Sequence, residues 1–225
     1  MLRRALLIVA GLAAPAIMAG AGVCIAVEVR IELPSPARID TTGIKRILVG
    51  GFRAGDHPTV DLGREVNRLL RDMLGKDTDF EIINAEPLPL PEQPVEEAVR
   101  NTAYWKRLGT RFNADLILGG TFEFEERDES GFVQEDIISE LTGQRYRRSR
   151  WVEREAFKMD MGLYMFRGTS GELVFEDHFA EGNTFPGKGN DALSVLHDLM
   201  ERIRENVVGI VMPRTRLETR YLLTE

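Results

Sequence analysis

Three adjoining apolar residues, Ile47-Leu48-Val49, constrain this chain most. A short unbroken run rich in β-branched residues suits a strand covered on both faces. The segment before it, Ala37–Gly43, reads as a turn feeding that strand. Gly50-Gly51 after it reads as a sharp turn. A strand with two buried faces demands partners on either side and packing from above and below. The search for those partners organises the rest of the chain.

Downstream, Leu62, Val66, Leu69, Leu70, Met73 and Leu74 recur at helical spacing. They predict an amphipathic helix over Thr59–Leu74, capped by Thr59 or Asp61 and ended by Gly75. Phe80–Ile83 is a short second strand. Four prolines in Glu86–Pro94 make a stiff exposed loop. Thr102–Phe112 predicts a helix burying Trp105, Leu108 and Phe112. Ala114–Glu125 predicts a long strand, apolar at Leu116-Ile117-Leu118 and alternating afterwards.

Phe132–Leu141 and Gln144–Glu155 form a hairpin around Thr142-Gly143. Thr suits poorly the positive φ of a type I′ turn, so a type I turn over Glu140–Gly143, with Gly143 left-handed as a bulge, is expected. That register sets Ile138 opposite Tyr146, Val133 opposite Trp151 and Asp136 opposite Arg148. Ala156–Phe166 and Leu173–Phe179 are strands joined by Gly168-Thr169-Ser170-Gly171. A final helix covers Asn190–Met212, stopped by Pro213, and a tail strand Leu217–Leu223 returns to the sheet. The fold class is α+β (an α/β sandwich): a mixed sheet of about five or six strands with helices packed on it, plus an extended β-hairpin.

The amino-terminal segment is of another kind. Arg3 and Arg4 precede a stretch, Ala5 to Val27, without a charge. This is the form of a secretory signal or membrane anchor. Three fates fit it: cleavage before Cys24 with lipid added there, ordinary cleavage near Ala19-Gly20-Ala21, or retention as a span. Val23 stands where lipoprotein processing usually finds a small residue, and Pro15 with many Ala and Gly weakens a span. Each fate exports the following domain. Cys24 is the only cysteine, so no internal disulfide framework exists. The organisation expected is a leader or anchor over 1–24, a tether or first strand over 25–43, and one domain over 44–225.

With the elements placed, "PARIDTTGIKRILVGGF", "DLGREVNRLLRDML" and "FNADLILGGTFEF" resemble the curli-secretion channel lipoprotein family and its relatives. Those relatives include the TolB amino-terminal domain and periplasmic synthase activators. The stretch "TGQRYRRSRWVEREAFKMDMGLYMFRGTSGELVFEDHF" looks like the hairpin region of lipoproteins in that group. The resemblance spans about residues 36–212. It implies a small α/β domain, an envelope location, a role in assembly or secretion, and no catalysis. The lipid-bearing cysteine of the family maps to Cys24.

Candidate chemistry is sparse. Gly182–Gly189 reads G-x-x-x-x-G-K, but Gly189 replaces the hydroxyl residue that would hold magnesium, and Pro186 removes a donor. The glycines at 50, 51 and 55 lack dinucleotide-binding spacing. His57, His178 and His197 are scattered, without metal-ligand spacing. Glu123 and Glu125 share a strand face but continue into Glu126, Asp128 and Glu129, a solvated strand end. No nucleophile sits in a G-x-S-x-G elbow. No enzyme, cofactor or metal is expected.

The most distinctive local feature is Arg145-Tyr146-Arg147-Arg148-Ser149-Arg150-Trp151. Arginines interleaved with aromatics suit an anionic partner. They also suit pairing with Glu135, Asp136, Glu140, Glu153 and Glu155 within the hairpin. The formal net charge of −7 is a poor match to nucleic acid. The reading is therefore a membrane-tethered envelope accessory on the periplasmic side, on the outer membrane if lipidated. It binds another envelope protein or an anionic polymer. The alternative is an oligomeric, pore-forming secretion subunit.

Overall fold

The computed structural model describes residues 25–224, apart from residues 87, 89, 92, 139 and 141. In chain order the elements are β1 (Ile25–Ser35), β2 (Arg46–Ala54), α1 (Leu62–Asp77), β3 (Glu81–Ile83), α2 (Val95–Arg100), α3 (Thr102–Phe112), β4 (Leu116–Asp128), β5 (Gly131–Ile138), β6 (Arg145–Val152), β7 (Arg154–Arg167), β8 (Leu173–Pro186), α4 (Ala192–Val211) and β9 (Arg214–Thr224). The class is α+β. Pro34–Arg214 forms one unit, and the described residues before and after it form another.

Within the larger unit the sheet runs β3-β2-β4-β7-β8. β2 pairs in parallel with both β3 and β4, while β4, β7 and β8 are antiparallel. Alternation along the strands sorts the core into two layers. Ile47, Val49, Leu116, Leu118, Met161, Leu163 and Met165 meet α1 and α4 on one face. Leu48, Ile117 and Phe166 meet Trp105 and Leu108 of α3 on the other. The unbroken triplet is thus buried on both sides, as its composition requires. Trp105 stacks on Phe166 at 3.8 Å, and its Nε1–H donates to the Ala98 carbonyl at 2.8 Å.

Several local expectations are corrected. α1 begins at Leu62 with Asp61 accepting from the Arg64 N–H, and it runs through Gly75 to Asp77. Gly75 is an ordinary helical residue. Thr78 ends the helix by donating from Oγ1 to the Leu74 carbonyl at 2.6 Å. Gly50 and Gly51 do not turn the chain; they lie inside β2, at an irregularity between Val49 and Phe52. Their small size admits the proline loop instead. The Leu88 N–H donates to the Gly50 carbonyl at 2.9 Å, and a Cβ on Gly51 would strike the Leu88 carbonyl. α2 was not anticipated, although Pro94 followed by Glu96 and Glu97 has the composition of a helix start. α4 begins at Ala192, two residues later than expected, with Asp191 as its cap. The tail strand β9 pairs with β1 in a separate two-stranded sheet and does not join the five-stranded one.

Candidate interaction site

β5 and β6 prolong the β4–β7 ladder. Asp128 lies opposite Glu155, the Glu129 N–H donates to the Arg154 carbonyl at 3.0 Å, and pairing resumes at Gly131 opposite Val152. Eight paired rows extend the arm by about 26 Å at the usual strand rise. Among the described residues no helix packs closely along this hairpin, and most of its residues are exposed. A lone two-stranded hairpin is marginal in water. This one is held at its root.

The root is pinned from the β8–α4 side. Lys188 donates to Asp128 at 2.6 Å, and Thr184 donates to Glu129 at 3.4 Å. The Lys188 ammonium, with help from Ser130, holds the Asp128 carboxyl well below the usual carboxylate range. Glu155, nearly buried, accepts from both the side-chain amide and backbone N–H of Asn190, at 2.8 and 2.9 Å. Those two bonds lower its pKa. The lysine of the phosphate-loop-like pattern is therefore engaged with a carboxylate, and Gly182–Pro186 is strand rather than loop.

The register differs by one residue from the expected one. Asp136 faces Arg147, Ile137 faces Tyr146, and Phe132 faces Trp151. Gly143 is left-handed as expected, with φ of 66°. A buried face would have specified register; here both faces are wet, and the apolar pattern could not choose. The observed register brings the Phe132 and Trp151 rings to 5.1 Å, edge to face.

Alternation then assigns the faces. One carries Phe132, Asp136, Ile138, Arg145, Arg147 and Trp151. The other carries Val133, Glu135, Ile137, Tyr146, Arg148 and Arg150. Arg147 reaches Asp136 at 3.3 Å and Arg150 reaches Glu135 at 2.6 Å. Among the described residues, Arg145 and Arg148 make no ion pair, so each face keeps one uncompensated guanidinium. Phe132, Ile138, Tyr146 and Trp151 are all more than half exposed. Phe132 and Ile138 were not among the candidate binding residues read from the sequence, though Ile138 was placed opposite Tyr146. The cross-strand partner of Trp151 would have indicated Phe132, had the register been known.

The remaining candidates stand apart. His57 lies in the β2–α1 loop against Phe124, with Nε2 3.8 Å from Glu126. His178 on β8 meets Asp160 at 2.5 Å, and His197 on α4 meets Arg68 at 2.9 Å. Among the described residues no group of three or more His, Cys, Asp or Glu side chains could hold a metal. Glu123 is exposed, and Glu125 pairs with Arg127 at 2.5 Å. Cys24 lies outside the described residues. No described helix is long and apolar enough to cross a membrane.

The long edge strand β8 is blunted. The His178 and Thr184 N–H groups are taken by the preceding Asp177 and Asn183 side chains, at 2.9 and 3.0 Å. Arg202 covers the Gly182 carbonyl at 3.4 Å, and Pro186 lacks a donor. Such devices discourage strand addition.

No family model matches the chain, and no curated protein does. Solved structures to which it is similar include the PelC dodecamer from Paraburkholderia phytofirmans, at 13% identity over 84% of this chain and 100% of that one, with a TM-score of 0.36. The LpoB C-terminal domain from Salmonella enterica is similar at 11% identity over 62% of this chain and 85% of that one, TM-score 0.33. Lipoprotein GNA1162 from Neisseria meningitidis is similar at 11% identity over 72% of this chain and 99% of that one, TM-score 0.34.

Proposed function

We propose that this chain is an exported, membrane-tethered and non-enzymatic accessory of the cell envelope, whose β5–β6 arm captures an anionic partner, either an acidic protein face or a polymer. The observation that carries the reading is one uncompensated arginine on each face of a projecting, aromatic-bearing hairpin. Guanidinium groups beside exposed aromatic rings bind carboxylate and phosphate bidentately and stack on flat groups. The arginines already paired with Asp136 and Glu135 stiffen the arm. The uncharged stretch Ala5–Val27 behind Arg3 and Arg4, and Cys24, support the tether.

The pore reading is less well supported. A barrel wall needs one face free of charge. The arm carries arginine on both faces, and the apolar row of β7, Phe157 to Met165, is buried in the core.

The test is crosslinking and pull-down from envelopes with a photoreactive group in place of Tyr146, comparing the parent with Arg145→Glu combined with Arg148→Glu. Capture should fall severalfold while the melting temperature holds. Equal capture by the double variant sinks the proposal. A Cys24→Ala form run alongside reports on tethering.

A further inference from the structure

α3 differs from the other described helices in carrying no acidic residue. Its buried side, Trp105, Leu108 and Gly109, faces the sheet. Its outer side is one arc of Ala103, Lys106, Arg107, Thr110 and Arg111, all exposed. Among the described residues, none of these three cations makes an ion pair. By contrast, Arg68 of α1 pairs with Glu65 and Asp72, and Arg204 of α4 with Asp77 and Glu201. Arg107 and Arg111 stand at i,i+4, where like charges destabilise a helix. Arg111 has local reasons for its place. It lies in the last turn, where it complements the macrodipole, and its guanidinium sits 5.2 Å from the Phe112 ring centroid. Lys106 and Arg107, in mid-helix, have no such reason. The carboxylates nearest along the chain are engaged elsewhere. Asp115 accepts from the Lys45 and Arg46 N–H groups at 2.9 Å, and Glu96 and Glu97 belong to the first turn of α2.

Shape and position say what this face meets. Ala103 and Thr110 fill the places between the cations, so the face offers charge without an apolar wedge. A helix side is convex, which suits a flat array of headgroup phosphates; a small molecule is held in a concave site. Pro34, where the larger unit begins, is ten residues from Cys24. A tether at Cys24 therefore keeps that residue within about 35 Å of the membrane along the chain. At such range weak attraction acts at high effective concentration. The formal net charge of −7 does not oppose it. α1 and α4 pack on the opposite face of the sheet, farther off than a Debye length of about 8–10 Å. On the α3 side, Glu123 and Glu125 lie on β4 itself, beneath the outer surface of the helix.

We propose that the Lys106, Arg107 and Arg111 face of α3 rests on anionic phospholipid headgroups of the membrane to which the chain is tethered. The inference rests on the tether described above and adds an orientation, α3 toward the membrane with α1 and α4 away from it. The contact is peripheral. Guanidinium and ammonium groups meet phosphates at the surface, and nothing inserts.

The test uses the full-length chain with its leader and Cys24 intact, reconstituted into vesicles of phosphatidylethanolamine and phosphatidylglycerol. A photoreactive group replaces either Thr110 on α3 or Asp198 on α4, both exposed. Irradiation should give severalfold more phospholipid adduct at 110 than at 198. The excess should fall severalfold in phosphatidylcholine vesicles and in raised salt. Combining Lys106→Gln, Arg107→Gln and Arg111→Gln should remove it while the chain still floats with its vesicles. The melting temperature should not fall, since a like-charge pair is gone. Arg145→Glu with Arg148→Glu should leave the excess unchanged, because the arm is a separate surface. A chain that floats while 110 and 198 react equally overturns the α3 proposal and leaves the tether standing. So does an excess that persists in phosphatidylcholine or in the glutamine variant. A chain that does not float overturns both. Adducts at 110 to a second copy assign the face to self-association and overturn headgroup contact.

Discussion

Phe132 and Trp151 stand directly opposite each other on β5 and β6, ring centroids 5.1 Å apart at 75°, while remaining 74% and 53% exposed. Aromatic rings of that size seldom stay uncovered in a working assembly; they are favoured anchors at interfaces. The pair also sits on the same face as Arg145 and Arg147, so apolar area and positive charge are offered together.

Trp151→Ala should therefore separate binding from folding. The pair itself contributes about 0.5–1.5 kcal/mol to stability. An interface anchor costs about 2 kcal/mol or more of binding when truncated. Thermal melts together with partner capture read both quantities. A large stability loss with unchanged capture would return the pair to a purely structural role.

Trp105 is the opposite case, an aromatic whose work lies in the core. It is 2% exposed, stacks on Phe166 and donates to Ala98. Trp105→Ala should cost about 3–5 kcal/mol by cavity formation. Trp105→Phe keeps most of the stack and loses one hydrogen bond, about 1 kcal/mol. Denaturant titration of the two variants checks the ordering.

Two helical glycines should respond with opposite sign. A Cβ on Gly109 of α3 would strike the Gly168 carbonyl, so Gly109→Ala should destabilise by about 1–3 kcal/mol through overpacking. A Cβ on Gly75 of α1 would meet only Ile82 at 3.7 Å. Gly75→Ala should stabilise by about 0.5–1 kcal/mol, since helical glycine loses more backbone entropy on folding. Chemical denaturation of each single variant measures the contrast.

The acid limb of stability should depend on Asp77. Its carboxylate accepts from the Nε and Nη2 groups of Arg204 at 2.6 and 2.9 Å, clamping the end of α1 to α4. The Arg204 bonds lower its pKa from the usual value. A carboxylate with a depressed folded pKa contributes stability that is fully present above its unfolded pKa, about 3.9. That contribution is lost as pH falls through the folded pKa. Asp77→Asn should lower stability at neutral pH and flatten the loss below about pH 4. Unchanged acid unfolding in the variant would remove Asp77 from that account.

Much of the architecture was legible in the sequence. The Thr102–Phe112 helix matches α3, capped by Asn101 and ended by left-handed Asn113. The apolar stripe of α4 and the double burial of Ile47-Leu48-Val49 followed from periodicity and composition. The arginine-rich arm was visible as a charge pattern. What was misread shares a cause. Gly75 looks like a helix stop and Gly50-Gly51 like a turn. Glycine's local conformational freedom suits both readings, and only the surrounding structure assigns the use: α1 runs through Gly75, and Leu88 packs against Gly51.

Sequence alone determined the type of most elements and the buried side of those that pack on the core, because both follow from the spacing of apolar residues along the chain. The tertiary structure decided the hairpin register, the pairing of β9 with β1, and which arginines of the arm stay uncompensated. These are contacts between residues far apart in the chain. Where both faces of a strand meet water, no buried row exists to select one pairing over its neighbour.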